Sequence, residues 1–225
     1  MLATLGLGFV LGLKHATEAD HLAAVSTIVS ERRSIWQSAA VGVLWGIGHT
    51  CSLLVAGIFV LVLGFAIPQR VADVLELAVA VMITFLGMRL LHLHIHKHSH
   101  RGRSHVHLHF QNEVHTAGGH SGLFGWRPLV IGIIHGLAGS AALTLLVLSQ
   151  VAHDGGLGLG FAYLVIFGVG SIGGMLVMST VMGLPFSLGL QFFQRTHIPL
   201  RLLTGIVSTI FGVTYAWEIS QRLLL

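Results

Sequence analysis

The sequence predicts an all-α integral membrane protein: six transmembrane helices arranged as two inverted three-helix repeats, the first helix distorted around residues 17–20. Three observations predict this. The 225 residues are 54% hydrophobic and only 9% charged, with a mean hydropathy of +0.84, whereas a soluble domain carries roughly a quarter charged residues. Six stretches provide the roughly 20 apolar residues that cross a bilayer: 2–28, 35–67, 71–91, 126–151, 157–186 and 200–219. Two of these stretches in the first half also have echoes in the second.

Polar punctuation separates the stretches. Glu31-Arg32-Arg33 ends the first, Pro68-Gln69-Arg70 the second, and His153-Asp154-Gly155-Gly156 the fourth; Gln194 to Pro199 divides the fifth from the sixth. A long polar segment, 92–124, divides the chain into a first three-helix repeat, 1–91, and a second, 125–225. If the spans alternate, one side receives Arg32, Arg33, Arg89, Lys97, Arg101, Arg103, Arg127, Arg195 and Arg201, and the other only Arg70 and Arg222. Cytoplasmic loops carry the excess of Lys and Arg. The expectation is therefore a multi-pass protein of the cell (inner) membrane, both termini outside and the polar segment cytoplasmic. Met1-Leu2-Ala3-Thr4 lacks a basic start and no small-residue cleavage site follows, so the first span is expected to be retained. The scattered basic residues are no nucleic-acid footprint, and the lone Cys51 excludes an intrachain disulfide and a multi-cysteine metal site.

The echoes between halves lie at similar offsets. Gly12-Leu13-Lys14-His15 resembles Gly132-Ile133-Ile134-His135, and Trp45-Gly46-Ile47-Gly48-His49 resembles Phe167-Gly168-Val169-Gly170-Ser171. With three helices per half the second copy enters the membrane inverted, an arrangement that places secondary-transporter sites near the midplane between copies. Gly-rich helices also resemble one another by chance.

The run His15-Ala16-Thr17-Glu18-Ala19-Asp20-His21 puts two imidazoles and two carboxylates in an apolar segment. Together they form a transition-metal ligand set, and ionisable groups at membrane depth are costly enough to mark function. His15, His49, His135 and Ser171 fall near the centres of their spans, at one depth on four helices. On a regular helix His15 stands about 140° from Asp20 and about 120° from His21, so these groups meet at one point only if the helix is broken. A broken helix with carbonyls and helix ends lining a cavity is the usual transporter arrangement. The candidate metal ligands are His15, Asp20, His21, His49 and His135, with Lys14, Glu18, Thr50, Ser140 and Ser171 in support. Other readings stay open: Asp20 and His21 hydrated at the interface, His49 and His135 as core histidines, and Lys14 either paired with Asp20, Glu18 or Glu76 or snorkelling. Met175, Met178 and Met182 form a stripe that suits packing more than a copper(I) path.

The polar segment contains His92, His94, His96, His98, His100, His105, His107, His109, His115 and His120. Their i, i+2 spacing is no helix face, and with Gly102, Gly118 and Gly119 it reads as a flexible loop that binds divalent metals weakly at many sites. A solubilising spacer is the alternative.

On these residues the chain resembles the nickel/cobalt transporter family. His15, Asp20 and His21 match its H-x-x-x-x-D-H transmembrane signature, and Gly48-His49-Thr50 matches its Gly-His-Ser/Thr element in the next helix. Classical members are longer and carry an acidic motif in the second half, where this chain has Gly132-Ile133-Ile134-His135-Gly136-Leu137-Ala138-Gly139-Ser140. The compact branch of urease-accessory-type nickel permeases is more similar. The resemblance implies a Ni²⁺ or Co²⁺ permease that needs the signature residues. Imidazole and carboxylate by themselves do not separate nickel, cobalt and zinc.

The expected function is a secondary transporter taking up Ni²⁺ or Co²⁺, the ion being cargo with no resident cofactor. Efflux by proton exchange, and a membrane metal store or donor for urease or hydrogenase maturation, are the alternatives. Expected partners are the lipid bilayer, the cation and cytoplasmic metallochaperones; no nucleotide-binding motif is present, so no ATPase. An H-E-x-x-H zinc-hydrolase pattern is absent, which argues against an enzyme.

Overall fold

The computed structural model describes residues 1–32, 34–63, 68–100, 103–110, 125–138, 141–192 and 194–224. Apart from one hairpin, the regular structure is helical: α1 (Leu2–His15), α2 (Ala19–Val29), α3 (Ile35–Leu63), α4 (Gln69–Leu91), β1 (Leu93–His100), β2 (Arg103–Phe110), α5 (Arg127–Gly136), α6 (Ala141–Phe192) and α7 (Gln194–Leu224). Among the described residues, four helices are long and apolar enough to cross a membrane, through Ile35–Phe59, Gln69–Leu91, Gly155–Leu188 and Pro199–Leu224. Hydropathy led to six. The difference is that the first expected span is divided into α1 and α2, and the fourth into α5 and the start of α6. Within α6, Gly156 takes a φ of 80°, a conformation that only glycine adopts without strain, so the segment before it is separate from the long apolar one.

The break between α1 and α2 is local chemistry. Thr17 Oγ1 donates to the Lys14 carbonyl at 2.6 Å, a side-chain bond that competes with helix continuation. The Thr17 and Glu18 amides close short turns onto Lys14 and His15, and Glu18 takes an extended conformation as the N-cap of α2. This is the distortion expected near residues 17–20.

α2 is the innermost element, touching α3, α4, α6 and α7. Its Ala24, Val25, Ile28 and Val29 join Val41, Trp45, Val79, Ile83, Met175 and Phe186 in the main core, with Met178 and Met182 packed against it. The methionine stripe is thus packing. Around it, α3 runs along α6 and α5, α1 along α6, and α4 along α7.

Helix pairs approach closely at glycines. A Cβ on Gly12 would meet the Phe167 carbonyl, and one on Gly170 the Phe9 carbonyl. Between α3 and α5, Gly132 meets the Trp45 carbonyl and Gly48 the Leu129 carbonyl. Between α4 and α7, Gly87 faces Thr209 and Gly212 faces Thr84. Without a water-driven hydrophobic force between spans, close backbone approach is what gives van der Waals packing. The outward faces present large apolar side chains, among them Phe59, Phe85, Val177, Val181, Ile206 and Ile210. An apolar exterior of this extent suits lipid.

The α4–α7 pair is fastened at one end by charge. Arg222 reaches Glu76 at 2.7 Å and Asp73 at 3.4 Å, and Gln69 also donates to Asp73. The Asp73 side chain is only 5% exposed but Arg222 is 40% exposed, so solvent screens most of the pair. Arg222→Ala is expected to cost about 1 kcal/mol, lowering Tm in detergent by about 2–4 °C; Arg222→Lys should recover part of it. An unchanged Tm would show that the pair is ornamental.

Candidate metal centre

The break after His15 turns the signature residues toward one another. α1 presents His15 from its last position and α2 presents Asp20 and His21 from its first turn. α3 adds His49 and α5 adds His135. The four imidazoles are 1–4% exposed. Their ring centroids lie 4.6 Å apart for His15 and His21, 4.9 Å for His15 and His49, and 4.2 Å for His21 and His135.

Two donor triads share His21. One nitrogen each from His15, His21 and His49 lie within 4.8 Å of one another, and so do donor atoms of Asp20, His21 and His135. Asp20 ties the second triad together: Oδ2 is 2.9 Å from His135 Nε2, and Oδ1 is 3.1 Å from His21 Nδ1. The His21 amide also donates to Oδ1 at 2.9 Å. Standing in the first turn of α2, Asp20 faces the positive end of that helix dipole, which favours its charge. In the first triad His15 Nε2 lies 2.9 Å from His49 Nε2, and Glu18 Oε1 is 3.1 Å from His15 Nδ1.

With the carboxylates ionised and each ring neutral, one assignment of the protons satisfies these contacts. An ionised carboxylate only accepts, so His135 Nε2, His21 Nδ1 and His15 Nδ1 each carry the hydrogen facing their acid. His15 Nε2 is then an acceptor, and His49 Nε2 donates to it. The remaining nitrogens, His21 Nε2, His49 Nδ1 and His135 Nδ1, are lone pairs. All three are buried and lack a partner among the described residues. Unmatched buried acceptors cost free energy, and His21 and His135, each with one nitrogen held by Asp20 and the other free, have the arrangement of metal-ligating imidazoles.

Supporting residues divide. Glu18 contacts the centre directly. Thr50 Oγ1 donates to the Gly168 carbonyl at 3.3 Å, and Ser171 Oγ to the Gly12 carbonyl at 3.4 Å; both serve helix packing, so Ser171 does not join the histidines at its depth. Lys14 is exposed, whereas its neighbour His15 is buried. Its three expected acid partners lie instead against histidines or Arg222: Asp20, Glu18 and Glu76 contact His135 and His21, His15, and Arg222. Ser140, His115 and His120 lie outside the described residues, as do Arg33 and Arg101.

Two walls escaped sequence reasoning. Trp45 stacks on His21 at 6.0 Å and tilts against His135 at 5.4 Å, while Phe167 lies 5.6 Å from His15. Their signal was present: each opens one of the two echoed Gly-x-Gly segments, four residues ahead of His49 and Ser171.

No protein-family model matches the chain, and no solved structure matches it. Among characterised proteins it is similar to urease accessory protein UreH of Bacillus sp. (strain TB-90), with 41% identity over 219 residues, covering 97% of this chain and 92% of that protein. Similarity of that degree along nearly the whole of both chains means that this chain belongs to the UreH family of urease accessory proteins.

Proposed function

We propose that the protein is a secondary transporter that carries Ni²⁺, or Co²⁺, into the cytoplasm through the His15/Asp20/His21/His49/His135 centre. One observation carries this reading: four buried imidazoles and one carboxylate converge, with three lone pairs unmatched, in a chain with four membrane-length apolar helices. A neutral core network would have matched its acceptors. The donor set suits a borderline divalent cation. A relative named for urease, a nickel enzyme, favours nickel, as does the nickel/cobalt transporter signature.

In this reading α1–α2 and α5 with the start of α6 each cross the membrane as an interrupted span, giving six crossings in two inverted repeats. The glycine contacts support the repeat. Moving Gly12 on Phe167 by the offsets between halves yields Gly132 on Trp45, and Gly48 on Leu129 yields Gly170 on Phe9; Gly87 on Thr209 and Gly212 on Thr84 are related in the same reciprocal way by an offset of 125 residues. The halves then rock about the centre, exposing it to one side and then the other. Charge bias orients both termini outward and the β1–β2 hairpin toward the cytoplasm, where metallochaperones would receive the ion.

Uptake is the simpler energetics. Two charges crossing 100 mV are worth about 4.6 kcal/mol, roughly a thousandfold accumulation. The test is the Ni, Co and Zn content of cells expressing the chain against cells that lack it. Raised nickel is the expected result. Lowered nickel would reverse the direction in favour of proton-coupled efflux, and unchanged levels of all three metals would end the transport reading. Deleting residues 92–120 should alter only the size of the effect. If that deletion alone abolishes it, the protein is a metal store.

A further inference from the structure

The histidines between α4 and α5 are not a random tract. Two residues past the end of α4, β1 (Leu93–His100) pairs antiparallel with β2 (Arg103–Phe110) in a register that sets histidine against histidine three times: His94 opposite His109, His96 opposite His107 and His98 opposite His105. The i, i+2 spacing that is no helix face is the period of a strand, so all six positions share one face of the hairpin. The other face carries Leu93, Ile95, Lys97 and Ser99 against Phe110, Leu108, Val106 and Ser104.

Directly opposed positions on one face have Cβ atoms about 4.5–5.5 Å apart, and neighbouring rungs repeat about 6.8 Å along the strand. Two successive rungs thus bring four histidine positions together on one face. A hairpin alone in water is marginally stable, and a metal bridging its strands would make binding and strand pairing one event.

We propose that the juxtaposition of His94, His96 and His98 with His109, His107 and His105 forms a site for a divalent transition-metal cation held across two neighbouring rungs, separate from the centre around His21. Its ligands are imidazoles alone, so the ions it takes are Ni²⁺, Zn²⁺, Co²⁺ and Cu²⁺ rather than Mg²⁺ or Ca²⁺. Register, not histidine count, sets its affinity.

The experiment is a calorimetric Ni²⁺ titration of the purified full-length chain in detergent, on three versions of equal histidine content. The first is the natural chain. The second moves the β2 histidines by one place: His105→Val, Val106→His, His107→Leu, Leu108→His, His109→Phe and Phe110→His. This leaves every rung with at most one histidine. The third adds Leu93→His, His94→Leu, Ile95→His, His96→Ile, Lys97→His and His98→Lys, which restores three histidine pairs on the opposite face. Losing half the ligands costs at least what losing an outer partner does, about tenfold in affinity. The second version should therefore lose one tight equivalent, weakened at least about tenfold, and the third should regain it. Equal binding by all three overturns the ladder in favour of an unstructured tract, and so does failure of the third to recover while its elution volume in detergent stays that of the natural chain. The centre around His21 is common to all three versions, so the comparison is unaffected if the transport reading fails.

Discussion

Asp20→Asn is expected to bring nickel accumulation down to the level of cells without the protein, while the chain still reaches the membrane in normal amount. The carboxylate does three things. Among the described residues it is the acid that contacts two of the buried histidines, His21 and His135. It fixes which nitrogen of those two rings carries hydrogen, and in the proposed transporter it would compensate the charge of the dehydrated cation. An amide keeps the shape and loses all three. Its NH₂ cannot accept a ring N–H, so one histidine must reverse its tautomer and turn its lone pair toward the asparagine. Outer partners of metal ligands are worth about 10–100-fold in affinity, and the lost charge compensation adds to that in a water-poor interior. The combined loss should be about 100-fold or more. Glu18, 42% exposed and in contact with His15, should cost about tenfold as Glu18→Gln. Exposed Lys14→Ala should have little effect. Nickel content by mass spectrometry, scaled to protein abundance, measures all three. If Asp20→Asn accumulates nickel like the natural chain, the centre is a structural polar network and nothing more.

The site was more legible than the architecture, for a physical reason. Ligand chemistry is written in residue types, and His15, Asp20, His21, His49 and His135 are rare residues in an apolar background. Helical angles alone showed that the first three cannot meet on an intact helix, so the break could be inferred from spacing. Continuity of a span is different. Thr17 and Glu18 scarcely change the mean hydropathy of 2–28, yet one hydroxyl bonding back to Lys14 and an extended Glu18 stop the helix. Hydropathy therefore counted six spans where four helices are continuous. Whether Lys14 is paired or snorkels is not decided by sequence, because the direction a residue faces depends on its packing partners. The alternation of the histidines excludes a helix face and matches the two-residue period of a strand.

Gly12→Val and Gly132→Val should each destabilise the protein severely, and by similar amounts. Both would drive a side chain into a backbone carbonyl, Phe167 in one case and Trp45 in the other. A carbonyl in a helix cannot swing aside as a side chain does, so the helices must part. Overpacking costs about 1–3 kcal/mol in cores that can adjust, and these contacts sit at or above the top of that range. Thermal unfolding in detergent reads the loss. Gly6→Ala is the control, since nothing lies within 4 Å of a Cβ there; a helical alanine should raise stability by up to about 1 kcal/mol. Equality within pairs is the informative part. If two inverted copies share one frame, Gly48→Val should match Gly170→Val, and Gly87→Val should match Gly212→Val. Unequal losses within the pairs would mean that similar glycines serve unrelated contacts. Function should break the symmetry that stability keeps. Asp20 and His21 have no counterpart in the second copy, whose corresponding residues are Ser140 and Ala141. Where the copies meet, the second copy contributes His135, the mate of His15, and the first contributes the charge and the remaining rings. In the proposed transporter, a shared frame with unequal ligands would let the two halves move alike while the cation is gripped from one side.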